Sequence, residues 1–176
     1  LWIDYQDGKI SADYLQVTRF NEWAVKLGVP AKELNDAFLD AMAQICEPLP
    51  GAIDLLNALK PHARLGIITN GFARLQALRL AHTGLENMFD WLVISELVGI
   101  AKPNKAIFEH TFELMGNPDK SKILMVGDTA SSDILGGNNA GIDTCWLQHP
   151  GEQLPAGISP SYTITELAQL PTILAL

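Results

Sequence analysis

A chain of 176 residues that is 48% apolar and 18% charged carries enough apolar side chain to bury the core of one medium-sized domain, or one and a half. Its net charge of -8 excludes the broad basic face with which proteins grip nucleic acid polymers or anionic membranes without regard to sequence. No apolar run reaches the roughly 20 residues of a membrane-spanning helix, and the first residues lack the charged-then-apolar pattern of a secretion signal. The two cysteines, Cys46 and Cys145, stand far apart and fit no zinc spacing, which predicts reduced thiols in a cytoplasmic protein.

The first predicted elements are two amphipathic helices. Residues 11–27 line up Leu15, Phe20, Trp23, Ala24 and Leu27 and offer Ser11 as an N-cap, and residues 31–46 do the same with Leu34, Phe38, Met42 and Ile45. "GVP" at 28–30 separates them, and the organisation changes at "EPLPG", residues 47–51. Beyond it helices alternate with short, continuously apolar strands. Helix 51–60 leads to strand 64–69 (RLGIIT), helix 73–82 to strand 91–95 (WLVIS), helix 104–115 to strand 122–126 (KILMV), and helix 132–140 to strand 143–147 (DTCWL). That alternation predicts crossover units and an α/β fold built on a parallel sheet covered on both faces. Proline and glycine then mark "QHPGEQLPAGISP" as a surface loop ahead of a last short helix at 165–170.

In open parallel sheets the chemistry lies beyond the carboxyl ends of the strands, and here three such ends are polar. "IITNG" finishes a strand with Thr69 and Asn70 and turns at Gly71, leaving a hydroxyl and backbone N–H groups free to face an anion. A capped strand-to-helix turn would use the same residues. "GIAKPN" places Lys102 in a loop, held extended by the proline that follows. A solvated loop lysine is the alternative. "VGDTASSD" ends a strand at Gly127 and Asp128, with Asp133 in the first turn of the next helix. Helix capping accounts for one acid but poorly for two. Hard carboxylate oxygens with water suit Mg²⁺, which is held by one or two carboxylates plus substrate phosphate. Together the three ends read as a phosphate-plus-magnesium site.

The order "ITNG … AKPN … VGDTASSD" also resembles the second, third and fourth motifs of the haloacid dehalogenase superfamily of phosphohydrolases. The longer runs "EPLPGAIDLLNALK" and "ISELVGIAKPNKAIFEHTFELMGNPD" are similar to its pyrimidine-preferring 5'-nucleotidase branch. The resemblance implies a Rossmann-like core at 49–176 and the remainder of a helical cap at 1–48. It implies that Thr69 and Lys102 bind phosphoryl oxygens with help from the Asn70 backbone N–H, that Asp128 binds Mg²⁺, and that Asp133 supports the metal or Lys102. The implied activity is hydrolysis of pyrimidine nucleoside 5'-monophosphates through a phospho-aspartate, by a monomer or weak homo-oligomer whose partner is the small phosphate ester. Alternatives are a sugar phosphate phosphatase of the same superfamily and a non-catalytic remnant. A metal-free dehalogenase sits poorly with two neighbouring acids, which would repel an anionic substrate. Receiver domains place their acids before the Thr and Lys.

One departure stands out. Family members carry an Asp-x-Asp pair on their first strand, as nucleophile and general acid and base, and no such pair occurs in this sequence. The expectation is therefore that the first strand and the start of the cap lie outside this chain. That strand would belong between the strands at 64–69 and 122–126. Each buried polar group left unpaired there costs about 1–3 kcal/mol, so the chain by itself is expected to be unstable, prone to aggregate at its open edges, and inactive. The aromatic residues Tyr5, Tyr14, Phe20 and Trp23 could stack a nucleobase, although aromatics at helical spacing also serve as core.

Overall fold

The computed structural model describes residues 1–176. Four helices come first: α1 (Trp2–Gln6), α2 (Ala12–Thr18), α3 (Asn21–Leu27) and α4 (Ala31–Gln44). Ser11 caps α2 as its sequence suggests, its hydroxyl accepting the Tyr14 N–H at 3.1 Å. The single helix expected at 11–27 is two, broken at Arg19 and Phe20 with no proline or glycine there. The break is a tertiary effect. The Arg19 guanidinium lies 5.0 Å from the ring centre of Phe20, 4.6 Å from that of Phe38 and 5.5 Å from that of Phe72, and it also donates to Asn35 Oδ1. Cation–π stacking of this kind outweighs the few tenths of a kcal/mol by which helix propensities differ.

The alternating part follows the expected order: α5 (Ala52–Leu59), β1 (Gly66–Thr69), α6 (Ala73–Thr83), β2 (Trp91–Ile94), α7 (Ser95–Val98), α8 (Lys105–Leu114), β3 (Leu124–Gly127), α9 (Leu135–Ala140), β4 (Asp143–Leu147), β5 (Tyr162–Ile164) and α10 (Leu170–Ile173). α9 begins with a π-helical turn over Ala130–Ile134, a local widening common at functional sites. The short elements α1, α7 and β5 span too few residues for a periodicity to register.

Every strand pair is parallel, as an α/β fold requires. β1 pairs with β2, and β3–β4–β5 form a second sheet. β1 and β3 are not hydrogen-bonded to each other. Helices bridge the two sheets on both faces. On one, the fully buried Ile107 and Phe108 of α8 join Val93 of β2, with Ile68 of β1 and Met125 of β3 packed against the same cluster. On the other, Leu55 and Leu59 of α5 pack with Leu65 ahead of β1, Leu124 and Val126 of β3, and Cys145 and Leu147 of β4. Each such side chain contributes about 1.5–3 kcal/mol when fully buried, so these two layers align the carboxyl ends of both sheets. α9 approaches α8 closely because Gly136 faces Phe108, where a Cβ would lie 2.6 Å from the ring.

The N-terminal helices attach beside the end of β1. Tyr5, Ala12, Leu15, Leu39 and Ala43 pack on Phe72 and Leu75 at the start of α6. No helix is long and apolar enough to cross a membrane.

Candidate active site

β1 ends at Thr69, and the chain must turn at once into α6. The Thr69 hydroxyl oxygen accepts the Gly71 N–H at 3.0 Å and the Gln76 side-chain amide at 3.4 Å. Both bonds arrive at the oxygen, so the hydroxyl proton itself remains available as a donor. Asn70 is buried, and its side chain works where only its backbone was expected to. Its Oδ1 accepts the Lys102 N–H at 2.8 Å while its Nδ2 donates to the Lys102 carbonyl at 2.9 Å. This reciprocal pair fixes the 99–104 loop to the end of β1, although the two residues are far apart in sequence.

Lys102 is not a solvated loop lysine. Its ammonium donates to the Ile68 carbonyl and, at 2.7 Å, to Asp133 Oδ1. The two side chains are 9% and 8% exposed. Two charges removed from water need their remaining hydrogen-bonding capacity met. For Asp133 it is met by the Thr129 N–H at 3.0 Å on Oδ2 and by the Ser132 hydroxyl at 3.4 Å on Oδ1. Lys102 keeps one of its three donors uncommitted. Asp133 can turn back over the end of β3 only because residue 127 is glycine, since a Cβ there would lie 2.5 Å from both Cβ and Cγ of Asp133.

Asp128 faces elsewhere. Its side chain is 54% exposed, and its carboxylate lies 3.3 Å from the Thr129 hydroxyl and 3.5 Å from His149 Nε2. The indole N–H of Trp146, on β4, donates to the Asp128 carbonyl at 2.8 Å and holds the strand end in place. Asp128 opens onto a cavity of about 270 Å³ lined also by Thr129, Ser131, Trp146, Glu152 and Pro155.

The expected site residues therefore form one contiguous set. Asn70 holds the Lys102 backbone, Lys102 pairs with Asp133, Asp133 bonds the N–H of Thr129, and Asp128 is the residue before it. Of the two roles open to Asp133, the geometry displays the support of Lys102, with both carboxylate oxygens engaged. Asp128 carries the open carboxylate, and no Lys or Arg pairs with it. One accessible hard-oxygen ligand at a strand end fits Mg²⁺, which completes its shell with water and substrate oxygens rather than an all-protein cage. No cluster of three or more His, Cys, Asp or Glu side chains suits a metal ion.

His149 and Glu152 at the same end of the sheet were not singled out from the sequence, because "QHPGEQLPAGISP" reads as surface loop. The strand-end rule applied to β4 would have found His149, two residues past Leu147. Among the aromatic residues of the N-terminal helices, Tyr5 is core, its hydroxyl 2.8 Å from Ser95 Oγ and pushed above its ordinary pKa chiefly by burial. Phe20 packs against Phe38 with ring centres 5.6 Å apart and planes tilted by 57°. Tyr14 and Trp23 are 54% and 58% exposed.

A family model for haloacid dehalogenase-like hydrolases matches residues 11–141. The chain is 56% identical over 174 residues to the pyrimidine 5'-nucleotidase YjjG of Escherichia coli, a match covering 99% of this chain and 77% of that protein. It is 35% identical to the pyrimidine 5'-nucleotidase PynA of Streptococcus pneumoniae, covering 93% of this chain and 70% of the relative. Among solved structures, YfnB of Bacillus subtilis bound to magnesium superposes with a TM-score of 0.86 at 32% identity, over 99% of this chain and 77% of that one.

Proposed function

The chain belongs to the haloacid dehalogenase-like hydrolases, and from that premise we propose that it serves Mg²⁺-dependent hydrolysis of phosphate monoesters, with pyrimidine nucleoside 5'-monophosphates as substrates. The observation that carries the proposal is the buried Lys102 held between the Ile68 carbonyl and Asp133, with Thr69 at the end of β1 and Asp128 just past the end of β3. Similarity to two pyrimidine 5'-nucleotidases over nearly the whole chain supports the substrate class. We further propose that residues 1–48 act as a cap over a core at 49–176, and that the protein works in the cytoplasm, where its unpaired Cys46 and Cys145 would stay reduced.

Phosphoryl transfer needs the charge on the equatorial oxygens of the transferred group neutralised. The Thr69 hydroxyl proton and the uncommitted Lys102 donor would both be spent on phosphoryl oxygens. Preorganised donors of this kind are each worth about 10²–10³ in rate. They are preorganised here because Asp133 and Asn70 have already fixed Lys102, so no reorganisation is required as charge develops. Asp128 would hold Mg²⁺, which when bound supplies further positive charge to the same oxygens. Asp133 would contribute through Lys102. The N-terminal helices would exclude water and select the leaving group. Reaction through a phospho-aspartate additionally requires the carboxylates of an Asp-x-Asp pair, which these residues do not contain.

The test is a substrate panel, run on the chain extended at its N-terminus by a strand carrying the family's Asp-x-Asp pair. Pyrimidine nucleoside monophosphates should exceed small sugar phosphates in kcat/KM. The opposite ranking would move the activity to another phosphate ester.

A further inference from the structure

α6 begins directly after the Thr69–Gly71 turn, and its N-terminus lacks the usual means of satisfying its free N–H groups. Its N-cap is Phe72, which offers no side-chain acceptor, and its first turn contains no acid. Orphan N–H groups at a helix start need an acceptor, and the positive end of the helix favours an anionic one. That acceptor comes from another element. Glu96, in the first turn of α7 beyond β2, takes the Ala73 N–H on Oε2 at 2.6 Å.

The other oxygen of the same carboxylate faces the N-terminal helices. Glu96 Oε1 accepts the side-chain amide of Gln16, on α2, at 2.9 Å. Gln16 in turn accepts from Asn35 Nδ2 at 3.4 Å, and Asn35 Oδ1 accepts from Arg19. Beside Glu96, Ser95 Oγ lies 2.8 Å from the buried Tyr5 hydroxyl. Glu96 thus divides its two oxygens between the turn that follows Thr69 and a polar chain running back through α2 and α4. Any displacement of α2 away from β2 must break the Gln16 bond and release one side of the carboxylate that holds Ala73.

We propose that Glu96 is a positioning residue which couples the placement of the N-terminal helices to the order of the turn at Thr69–Ala73. It touches no reacting group. With Gln16 in place the carboxylate is fixed on the Ala73 N–H, and the start of α6 and the turn ahead of it are held still. When Gln16 withdraws, the carboxylate gains rotamer freedom and the turn loosens. The consequence for catalysis rests on the reading of Thr69–Gly71 as a phosphate-binding turn, but the coupling itself is measurable without any turnover.

The measurement is amide hydrogen exchange in the chain extended at its N-terminus by the Asp-x-Asp strand, comparing residues 72–76 with α8 as an internal gauge of global opening. Gln16→Ala, a change on α2, should raise exchange at Ala73 about tenfold, the scale set by loss of a hydrogen bond to a charged group, and leave α8 at its parental rate. Glu96→Gln keeps one oxygen for the Ala73 N–H but turns a donor toward the donating Gln16 amide, so its exchange at Ala73 should fall between that of Gln16→Ala and that of Glu96→Leu. A residue that merely caps α6 would respond to its own substitution and ignore Gln16. Unchanged exchange at Ala73 in Gln16→Ala would overturn the coupling, as would equal acceleration at Ala73 and in α8. Should Glu96→Leu fail to fold, Gln16→Ala carries the decision alone. Failure here with nucleotidase activity intact would remove the coupling only, and success here without activity would leave the coupling standing while the phosphatase reading falls.

Discussion

The ammonium of Lys102 and the carboxylate of Asp133 form a 2.7 Å ion pair in which less than a tenth of either side chain is exposed. A pair so enclosed is costly to break from one side only. Asp133→Ala leaves Lys102 charged and without its counter-ion, and should cost about 3–5 kcal/mol, read as a loss of thermal or urea stability. The double variant Lys102→Met with Asp133→Leu removes both charges and should recover much of that loss. Equal destabilisation of the single and double variants would show that the two charges are not coupled.

The placement of Asp133 depends on the absence of a side chain at residue 127. Gly127→Ala would drive a methyl group to 2.5 Å from Asp133 Cβ and Cγ. Overpacking of this kind costs about 1–3 kcal/mol, and here the shift would also separate Asp133 from Lys102. Urea midpoints of parent and variant measure the cost, and a parental midpoint would show that the turn after β3 yields freely.

Acid sensitivity should have an identifiable contribution from Asp90, just ahead of β2. Its carboxylate accepts the Leu65 N–H at 3.0 Å and pairs with Arg64, and its pKa is lowered from 3.8, first by the Leu65 bond and then by Arg64. A carboxyl whose folded pKa lies below its unfolded value stabilises the fold at pH above the unfolded value, and that stability is lost as pH falls through the folded one. Asp90→Asn should therefore lower stability at neutral pH and reduce its dependence on pH below about 4. Parallel stability curves for parent and variant across that range would count against the Asp90 contribution.

What the sequence made legible, and what it hid, divides along the range of the interactions involved. β1 to β4 were visible because parallel strands buried on both faces must be continuous apolar runs, as in Leu124–Val126. Thr69, Lys102 and Asp128 were visible because strand ends are few and each was polar. Hidden were the contacts between residues remote in sequence. The break at Arg19 follows from rings at Phe38 and Phe72. The side chain of Asn70 grips the backbone of Lys102, 32 positions away. Glu96 serves α6 from beyond the next strand. None leaves a local periodicity, and the contacts of Asn70 and Glu96 fix the segments that follow the strand ends.

That the polar strand ends form a phosphatase site in which Asp128 serves the metal is tested most directly by phosphate release from a pyrimidine nucleoside 5'-monophosphate at fixed Mg²⁺. The comparison is between the chain extended by an Asp-x-Asp strand and its Asp128→Asn variant. The extended chain should release phosphate, and Asp128→Asn should reduce turnover by about 10²–10³ while leaving the unfolding midpoint near the parental value, since the Asp128 side chain is 54% exposed. Near-parental turnover by Asp128→Asn at the same Mg²⁺ concentration would contradict the assignment.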